Sequence, residues 1–507
     1  MKKMVRKIIV VILTAAILIG MAGCSAKRSD EPVPEDGYAP IPSPDNGGNR
    51  NKEYDTYFED YGVNPDTEVS EDSRSTFALD VDTASYTKVR NYIDQGSLPP
   101  KDAVRVEEFV NYFKRHYDTP SNDTFSIYTE IAPSVFNRGS HMIEIGVQGK
   151  EAIGSEKKNS VLTFVIDISG SMDMENRLGL VKKSLNMLVD QMGENDSIGI
   201  AVYGTRGRKL LEHTSGDNKS LIKKKIQGLK PEGSTNAAEG LRIGFKMANE
   251  NYVKDANNRI ILCTDGVANQ GLTDAEDILK TVEDYSKRGI TLSAFGFGMD
   301  NYNDIFLEKL ADQGDGNYSY IDSQKEAEKI FTEGLTSILQ VIAKDAKAQV
   351  VFDEESVETY RLIGYENRSL KDNDFRNDSV DAGEIGAGHA VTALYEVKLK
   401  ETAQENLAVV KLRYKDPQTG EVNEISKKIK SSDVKKDFYS ATPRFRFLNM
   451  VAQFAEILRD SEYTAASMEE VYNTLKKDEK SLVVSKEDSE FVELVRKAMN
   501  IGPNRQR

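Results

Sequence analysis

A short apolar run that ends in an aspartate limits the fold of this chain more than any other feature. Residues 161–166 have the composition of a fully buried strand, and Asp167, Ser169 and Ser171 follow at once. Ligands of open α/β sheets collect at the carboxyl ends of such strands, so these three side chains are expected to face one crevice. A carboxylate and two hydroxyl groups are hard oxygen ligands, which suit Mg²⁺, Mn²⁺ or Ca²⁺ better than Zn²⁺ or Cu²⁺.

The region around this motif repeats strand and helix patterns in alternation, from about residue 160 to residue 343. Strands separated by helices predict an α/β fold with a doubly wound, mostly parallel sheet, and roughly 180 residues suit one domain. The predicted strands lie near residues 161–166, 197–203, 259–264, 290–297 and 317–321.

Two later segments supply further oxygen atoms for the same crevice. Thr235 precedes a helical pattern, which places its hydroxyl at a helix start. Asp265 and Gly266 end the apolar run 259–264 and so repeat the arrangement at Asp167. The sequence predicts a divalent-cation site, with Mg²⁺ as the first choice and Mn²⁺ or Ca²⁺ as alternatives. Its predicted ligands are Asp167, Ser169, Ser171, Thr235 and Asp265.

The order of these motifs is D-x-S-x-S, then G-S-T, then T-D-G. It resembles the metal-ion-dependent adhesion site of von Willebrand factor type A domains. The resemblance implies that Ser169, Ser171 and either Thr235 or Asp265 coordinate the ion directly. It also implies that Asp167 and the remaining group act largely through water.

Residues 1–23 have the pattern of a secretory signal. Basic residues near the start precede an apolar stretch at 8–19, which is shorter than the roughly 20 residues that span a bilayer. The small residues before Cys24 resemble a bacterial lipobox, in which the cysteine becomes the lipidated first residue of the mature chain. We therefore expect a lipid-anchored protein on the extracytoplasmic face of the cell membrane. The alternative is an uncleaved anchor helix.

Composition excludes several classes of function. The formal net charge is −15, and removal of the basic signal makes the chain more acidic still, which argues against nucleic acid as a partner. Only two cysteines occur, Cys24 and Cys263, so lipidation of the first leaves the second without a disulfide partner. The four histidines lie far apart, without the spacing of a zinc site.

Outside the α/β domain, composition and periodicity distinguish four further regions. Because strand patterns flank that domain on both sides, we predict that it is inserted in a single β-sandwich, whose two segments must then share a hydrogen-bonded edge. Helical segments are predicted at both ends of the globular part. The regions are a flexible stalk at 24–75, an amino-terminal region with two helices and sandwich strands at 76–150, a β-rich region at 345–430 and a helical region at 431–507.

Segments on both sides of the α/β domain resemble bacterial YfbK-like lipoproteins that carry a von Willebrand factor type A domain. On the amino-terminal side these are residues 77–86 (FALDVDTASY), 98–100 and 105–113. On the carboxyl-terminal side they are residues 360–368 and 381–389. The resemblance implies the architecture of the chain and leaves its mechanism open.

Three functional hypotheses follow. The principal one is a binding protein without enzymatic activity, whose ion retains enough positive charge to attract an acidic side chain of a protein partner. The alternatives are an envelope assembly or scaffold factor with a structural metal, and a metal-assisted hydrolase, for which no histidine near the motif supplies a base. Asp80, Asp82 and Thr83 also match the D-x-D-x-T loop of haloacid-dehalogenase-type phosphatases, but without the Lys and Asp-Asp continuation.

Overall fold

The computed structural model of the chain describes residues 58–114, 117–152, 157–266, 275–298 and 304–501. The predicted signal, Cys24 and the first part of the predicted stalk lie outside these ranges. Among the described helices, none combines the length and apolar character needed to cross a bilayer.

Strands occur in all the regions for which the sequence predicts them. In chain order they are Thr67–Glu68 (β1), Arg74–Ala78 (β2), Phe125–Pro133 (β3), Ser140–Gly149 (β4), Ser160–Asp167 (β5), Ser197–Tyr203 (β6), Gly207–Ser215 (β7), Asn257–Thr264 (β8), Ile290–Phe297 (β9), Tyr318–Ile321 (β10), Val341–Phe352 (β11), Val357–Ile363 (β12), Ser369–Leu370 (β13), Glu384–Gly386 (β14), Ala390–Leu399 (β15), Asn406–Lys415 (β16) and Val422–Lys430 (β17).

Helices concentrate in the α/β domain and at the two ends of the described chain. The α-helices are Ala84–Asp94 (α1), Val106–Tyr112 (α2), Leu180–Gln191 (α3), Lys219–Gln227 (α4), Ala237–Glu250 (α5), Ala275–Ser286 (α6), Asp304–Gln313 (α7), Gln324–Glu328 (α8), Leu335–Leu339 (α9), Pro443–Leu458 (α10), Met468–Lys477 (α11), Glu479–Leu482 (α12) and Lys486–Ile501 (α13).

The predicted α/β sheet is confirmed and has the strand order β10-β9-β8-β5-β6-β7. Neighbouring strands are parallel except for β7, which returns antiparallel along β6 as an edge strand that the prediction missed. All residues of β5 are buried. Phe164 and Ile166 enter one core, with α3 and α4, while Val165 enters the opposite core, with α5 and α7. Burial on both faces explains why β5 is apolar at most of its positions and does not alternate between apolar and polar residues.

Helix α5 begins next to the predicted metal crevice because its first turn is well capped. The side chain of Asn236 accepts a hydrogen bond from the backbone N–H of Glu239, which satisfies a donor that the helix leaves unpaired. Gly240 then allows close packing on β6, since a Cβ atom there would lie 2.3 Å from the ring of Tyr203. The capped start and this close approach determine where Thr235 stands, just before the helix.

The flanking strands form two packed sheets, in the orders β1-β12-β15-β4-β3 and β13-β2-β11-β16-β17, with β14 also paired to β11. Strand β4 precedes the α/β domain and β15 follows it, and the two pair antiparallel from Ser140↔Lys398 to Gln148↔Ala390. Apolar side chains of both sheets share one core. The two segments therefore share the hydrogen-bonded edge that the sandwich prediction requires.

The predicted stalk is wrong at its carboxyl-terminal end. Thr67–Glu68 pairs with β12, and the Asn64 side-chain amide donates to the carbonyl oxygens of Leu362 (3.1 Å) and Gly364 (2.7 Å). Polar composition suggested a flexible segment, but an exposed strand edge offers backbone hydrogen bonds to polar and apolar sequences alike. The segment from about residue 64 onward is part of the folded protein.

The helices from the two ends of the described chain pack into one core, as a third part of the fold. Phe113 follows α2, and its ring centroid lies 5.2 Å from that of Phe447 in α10 and 5.3 Å from that of Phe491 in α13. The predicted apolar stripe of the carboxyl-terminal helices is therefore core. Its residues Phe445, Phe447, Met450, Phe454 and Leu458 are all buried.

Candidate metal centre

Asp167 ends β5 at the carboxyl edge of the parallel sheet and is fully buried. The backbone N–H of Ser169 donates to its Oδ1 atom at 2.8 Å, and the Thr264 hydroxyl donates to its Oδ2 atom at 2.9 Å. Thr264 stands there because Ile166 pairs with Cys263 in the neighbouring strand β8. Both carboxylate oxygens of Asp167 are thus held in place by the turn and by the next strand.

Ser169, Ser171 and Asp265 continue this network. The Oγ atoms of Ser169 and Ser171 lie 2.9 Å apart, and the Ser171 hydroxyl donates to Asp265 Oδ1 at 3.1 Å. Ser169 and Asp265 are buried, whereas Ser171 is exposed. The structure brings these residues and Asp167 together in one crevice that opens to solvent on the side of Ser171.

Thr235 approaches the crevice through its loop. The Gly233 carbonyl accepts a hydrogen bond from the N–H of Gly170 at 2.9 Å, which holds the loop against the serine-containing turn. Ser234 N–H donates to the Thr205 hydroxyl at 3.1 Å, and Thr235 follows as a half-buried residue. Among the described residues, the hydrogen bonds of the crevice involve the other four predicted ligands and do not involve the Thr235 hydroxyl.

The electrostatics of the crevice favour a cation. Burial raises the pKa of Asp167 to about 6. Burial likewise raises the pKa of Asp265, while the Ser171 hydroxyl and the Arg177 guanidinium oppose the shift. A raised pKa means that the ionised carboxylate is poorly solvated, so a positive charge placed beside the pair would relieve that penalty.

The donor set fits a hard divalent ion. It contains carboxylate and hydroxyl oxygens from Asp167, Ser169, Ser171 and Asp265, the atom types that Mg²⁺, Mn²⁺ and Ca²⁺ prefer. Within the described ranges there is no cluster of three or more His, Cys, Asp or Glu side chains suited to a metal. The residues that would hold an ion here are the two carboxylates and the two serine hydroxyl groups, which belong to the predicted ligand set.

Arg177 and Thr264 also belong to the crevice, although neither is among the predicted ligands. Arg177 is 3 % exposed, and its Nη1 donates to Asp265 Oδ2 at 2.7 Å and to the Ser171 carbonyl at 2.8 Å. Thr264 is part of the T-D-G motif, so its place beside Asp265 was available as a signal. Arg177 carries no comparable signal, since no motif spacing connects it with Asp265.

The rival phosphatase motif lies elsewhere and is bound by other side chains. Arg368 pairs with Asp80 at 2.8 Å and with Asp82 at 3.1 Å, and Asp82 also accepts a hydrogen bond from the N–H of Tyr318. These contacts join the start of α1 to the sandwich and to strand β10. They give both aspartates a structural role that does not require an attacking carboxylate.

The fold and the crevice define the class of protein, a von Willebrand factor type A domain protein. The family model described as "von Willebrand factor type A domain" matches residues 162–333, which contain all the predicted ligands. The model "von Willebrand factor" matches residues 52–144, and "Uncharacterized protein YfbK, C-terminal" matches residues 337–501.

The chain is 37% identical over 433 residues to the protein YfbK of Escherichia coli (strain K12), covering 80% of this chain and 74% of that protein. It therefore belongs to the YfbK-like family of von Willebrand factor type A proteins. It is also 30% identical over 280 residues to the protein sll0103 of Synechocystis sp., covering 52% of this chain and 64% of the relative. A similar solved structure, a von Willebrand factor type A protein from Catenulispora acidiphila, shows 14% identity and a TM-score of 0.44 over 76% of this chain and 91% of its own.

Membership of this class indicates a general function. Von Willebrand factor type A domains generally mediate protein–protein interactions, which supports a protein-binding role for this chain.

Proposed function

We propose that this protein is a lipid-tethered, extracytoplasmic binding protein that uses a divalent cation to capture an acidic group of a protein partner. The observation that carries the proposal is the crevice at the carboxyl edge of the sheet. There, Asp167 accepts from the backbone N–H of Ser169, the hydroxyl groups of Ser169 and Ser171 lie within hydrogen-bonding distance, and Ser171 donates to Asp265. The crevice opens to solvent at Ser171.

The composition of the crevice favours capture of an anion. An ion held by hydroxyl groups and few carboxylates keeps net positive charge, and a bound cation is often the largest local charge in its surroundings. Asp167 and Asp265 are both buried, so they face the crevice and not the bulk solvent. The acidic side chain of a partner would approach from the side of Ser171, drawn by the ion against the negative net charge of the chain.

The tether rests on the sequence. The signal pattern at residues 1–23 and the lipobox-like residues before Cys24 support export and lipidation, which would hold the binding domain at the outer face of the cell membrane. Because the protein is acidic, its attraction to the membrane would come from the lipid anchor and not from the protein surface.

Metal binding is expected to stabilise the native chain. At a free ion concentration of about 100 times Kd, a single site contributes about 2.7 kcal/mol, which raises the thermal unfolding midpoint in Mg²⁺ or Mn²⁺ relative to chelator. Asp167→Asn is expected to abolish that rise while keeping the volume of the side chain. The control is Asp190→Asn, because Asp190 is an exposed acid paired with Lys223. If the unfolding midpoint of the wild type is the same in metal and in chelator, the proposed site is contradicted.

The partner chemistry predicts an open coordination position. The electron paramagnetic resonance spectrum of bound Mn²⁺ is expected to change when acetate is added, because a carboxylate enters that position. Asp265→Asn is expected to weaken Mn²⁺ binding, and Asp190→Asn is not. If acetate does not change the spectrum of the bound ion, the ion is structural, as in a scaffold factor. That result would rule out capture of a partner through the metal.

A further inference from the structure

Arg177 occupies an unusual position beside the candidate metal centre. It lies in the π-helical turn Glu175–Gly179, between the serine-containing turn and α3. Its guanidinium is enclosed and donates both to Asp265 Oδ2 and to the Ser171 carbonyl. Its side chain runs across Gly298, where a Cβ atom would lie 2.5 Å from Arg177 Nε. Single π-helical turns within helices often mark functional sites.

This arrangement engages both oxygens of one predicted ligand. Asp265 Oδ1 accepts from the Ser171 hydroxyl and Oδ2 accepts from Arg177 at 2.7 Å. An ion that coordinated Asp265 directly would have to share an oxygen atom with one of these donors, because a carboxylate oxygen has a second lone pair. An ion that approached without replacing them would still meet a positive charge in a poorly solvated setting, where like charges repel more strongly than in water.

We infer that Arg177 is a built-in cation that competes with the divalent ion for Asp265 and thereby sets the metal affinity of the site. The inference rests on the proposed metal-binding function and names the residue that regulates it. In the metal-free protein the guanidinium neutralises Asp265 and keeps the crevice ordered. In the loaded protein it shares the carboxylate with the ion, so the site fills only at a higher ion concentration than the same oxygens would require alone.

Isothermal titration of the full chain with Mn²⁺ tests the inference. Arg177→Gln removes the charge and keeps a polar but shorter side chain. It is expected to bind Mn²⁺ more tightly by about tenfold or more, since a unit charge close to the ion has been removed. Arg177→Lys retains the charge and is expected to stay close to the wild-type affinity. Arg376→Gln is the matched control, because Arg376 is an exposed arginine paired with Glu424 in the sandwich. It is expected to leave the affinity unchanged.

The possible outcomes separate this inference from the proposed function. Tighter binding by Arg177→Gln, or binding by that variant alone, supports the competition. If the wild type binds Mn²⁺ and Arg177→Gln binds it equally well or more weakly, the inference is overturned and the metal site stands. Absence of binding in both proteins overturns the metal site as well. If Arg177→Gln does not fold, Arg177→Met provides a second neutral variant with the same expected tightening.

Discussion

Replacing Arg368 with glutamine is expected to lower the free energy of unfolding by about 3–5 kcal/mol at neutral pH, the usual cost of leaving buried charges without their partner. Arg368 lies in the loop after β12, and its side chain is 10% exposed. It pairs with Asp80 (2.8 Å) and Asp82 (3.1 Å) ahead of α1, and with Glu308 (3.5 Å) and Asp312 (3.4 Å) in α7. One guanidinium therefore joins the amino-terminal region, the sandwich and the α/β domain.

The loss of stability is expected to depend on pH. In the wild type, burial raises the pKa of Asp80 to about 7 and raises that of Asp82 well above its ordinary value, while Arg368 opposes both shifts. Without Arg368 both pKa values rise further, so the native state holds protons that the unfolded chain releases above about pH 4. The deficit relative to the wild type should therefore be smaller at about pH 5.5 than at about pH 8, and the Asp80 part of it should be regained above about pH 7, because below that pH Asp80 takes up a proton in the wild type as well.

Urea unfolding of the wild type and of Arg368→Gln at about pH 8 and about pH 5.5 measures the loss of stability. The exposed pair of Arg376 and Glu424 supplies the control, and Arg376→Gln is expected to change stability by less than about 1 kcal/mol at either pH. A loss in Arg368→Gln that is equally large at both pH values would mean that Asp80 and Asp82 do not take up the protons, and would contradict this account of the cluster.

The second large effect is expected for Glu456→Gln, again about 3–5 kcal/mol, because Glu456 is fully buried and serves two arginines. It pairs with Arg361 at 3.5 Å and with Arg459, which directly follows the end of helix α10. Arg361 also pairs with Glu396 at 3.2 Å, and its guanidinium lies 4.5 Å from the ring of Tyr463. The network connects strands β12 and β15 to helix α10. Glutamine keeps the volume and removes the charge, so the arginines lose much of their compensation.

Chemical denaturation followed by far-ultraviolet circular dichroism measures this loss. Glu493→Gln is a matched control in the same helical region, since Glu493 pairs with Arg496 at the surface and exposed pairs contribute less than about 1 kcal/mol. Equal effects of the two substitutions would show that Glu456 is solvated, contrary to the structure.

Much of the candidate metal centre could be predicted from local sequence. Asp167 and Asp265 each follow an apolar run, and neighbouring parallel strands bring their carboxyl ends to the same edge of a sheet. Ser169 and Ser171 follow within the same turn. Arg177 could not be predicted in this way, because its contact with Asp265 depends on the π-helical turn and on the space that Gly298 leaves at the end of β9.

The two errors in the fold have a common physical origin. Strand β7 is mostly half-buried and lacks an apolar run, and the segment around Asn64 is polar. Both are ordered by backbone hydrogen bonds to a strand edge, β7 to β6 and Thr67–Glu68 to β12. Such bonds leave little trace in side-chain periodicity, which is the signal that predicted the other strands.

The sequence by itself determined the apolar strands, the helices between them, the mostly parallel sheet and the positions of its polar carboxyl ends. These follow from the spacing of apolar residues, which is a local property of the chain. Only the tertiary structure decided that β4 pairs with β15 across the inserted domain, that the helices from both ends share one core, and that Arg177, Arg368 and Arg361 meet their carboxylates. Those contacts join residues far apart in the chain, and they form because buried charges and unpaired strand edges must find partners wherever the packed elements bring them together.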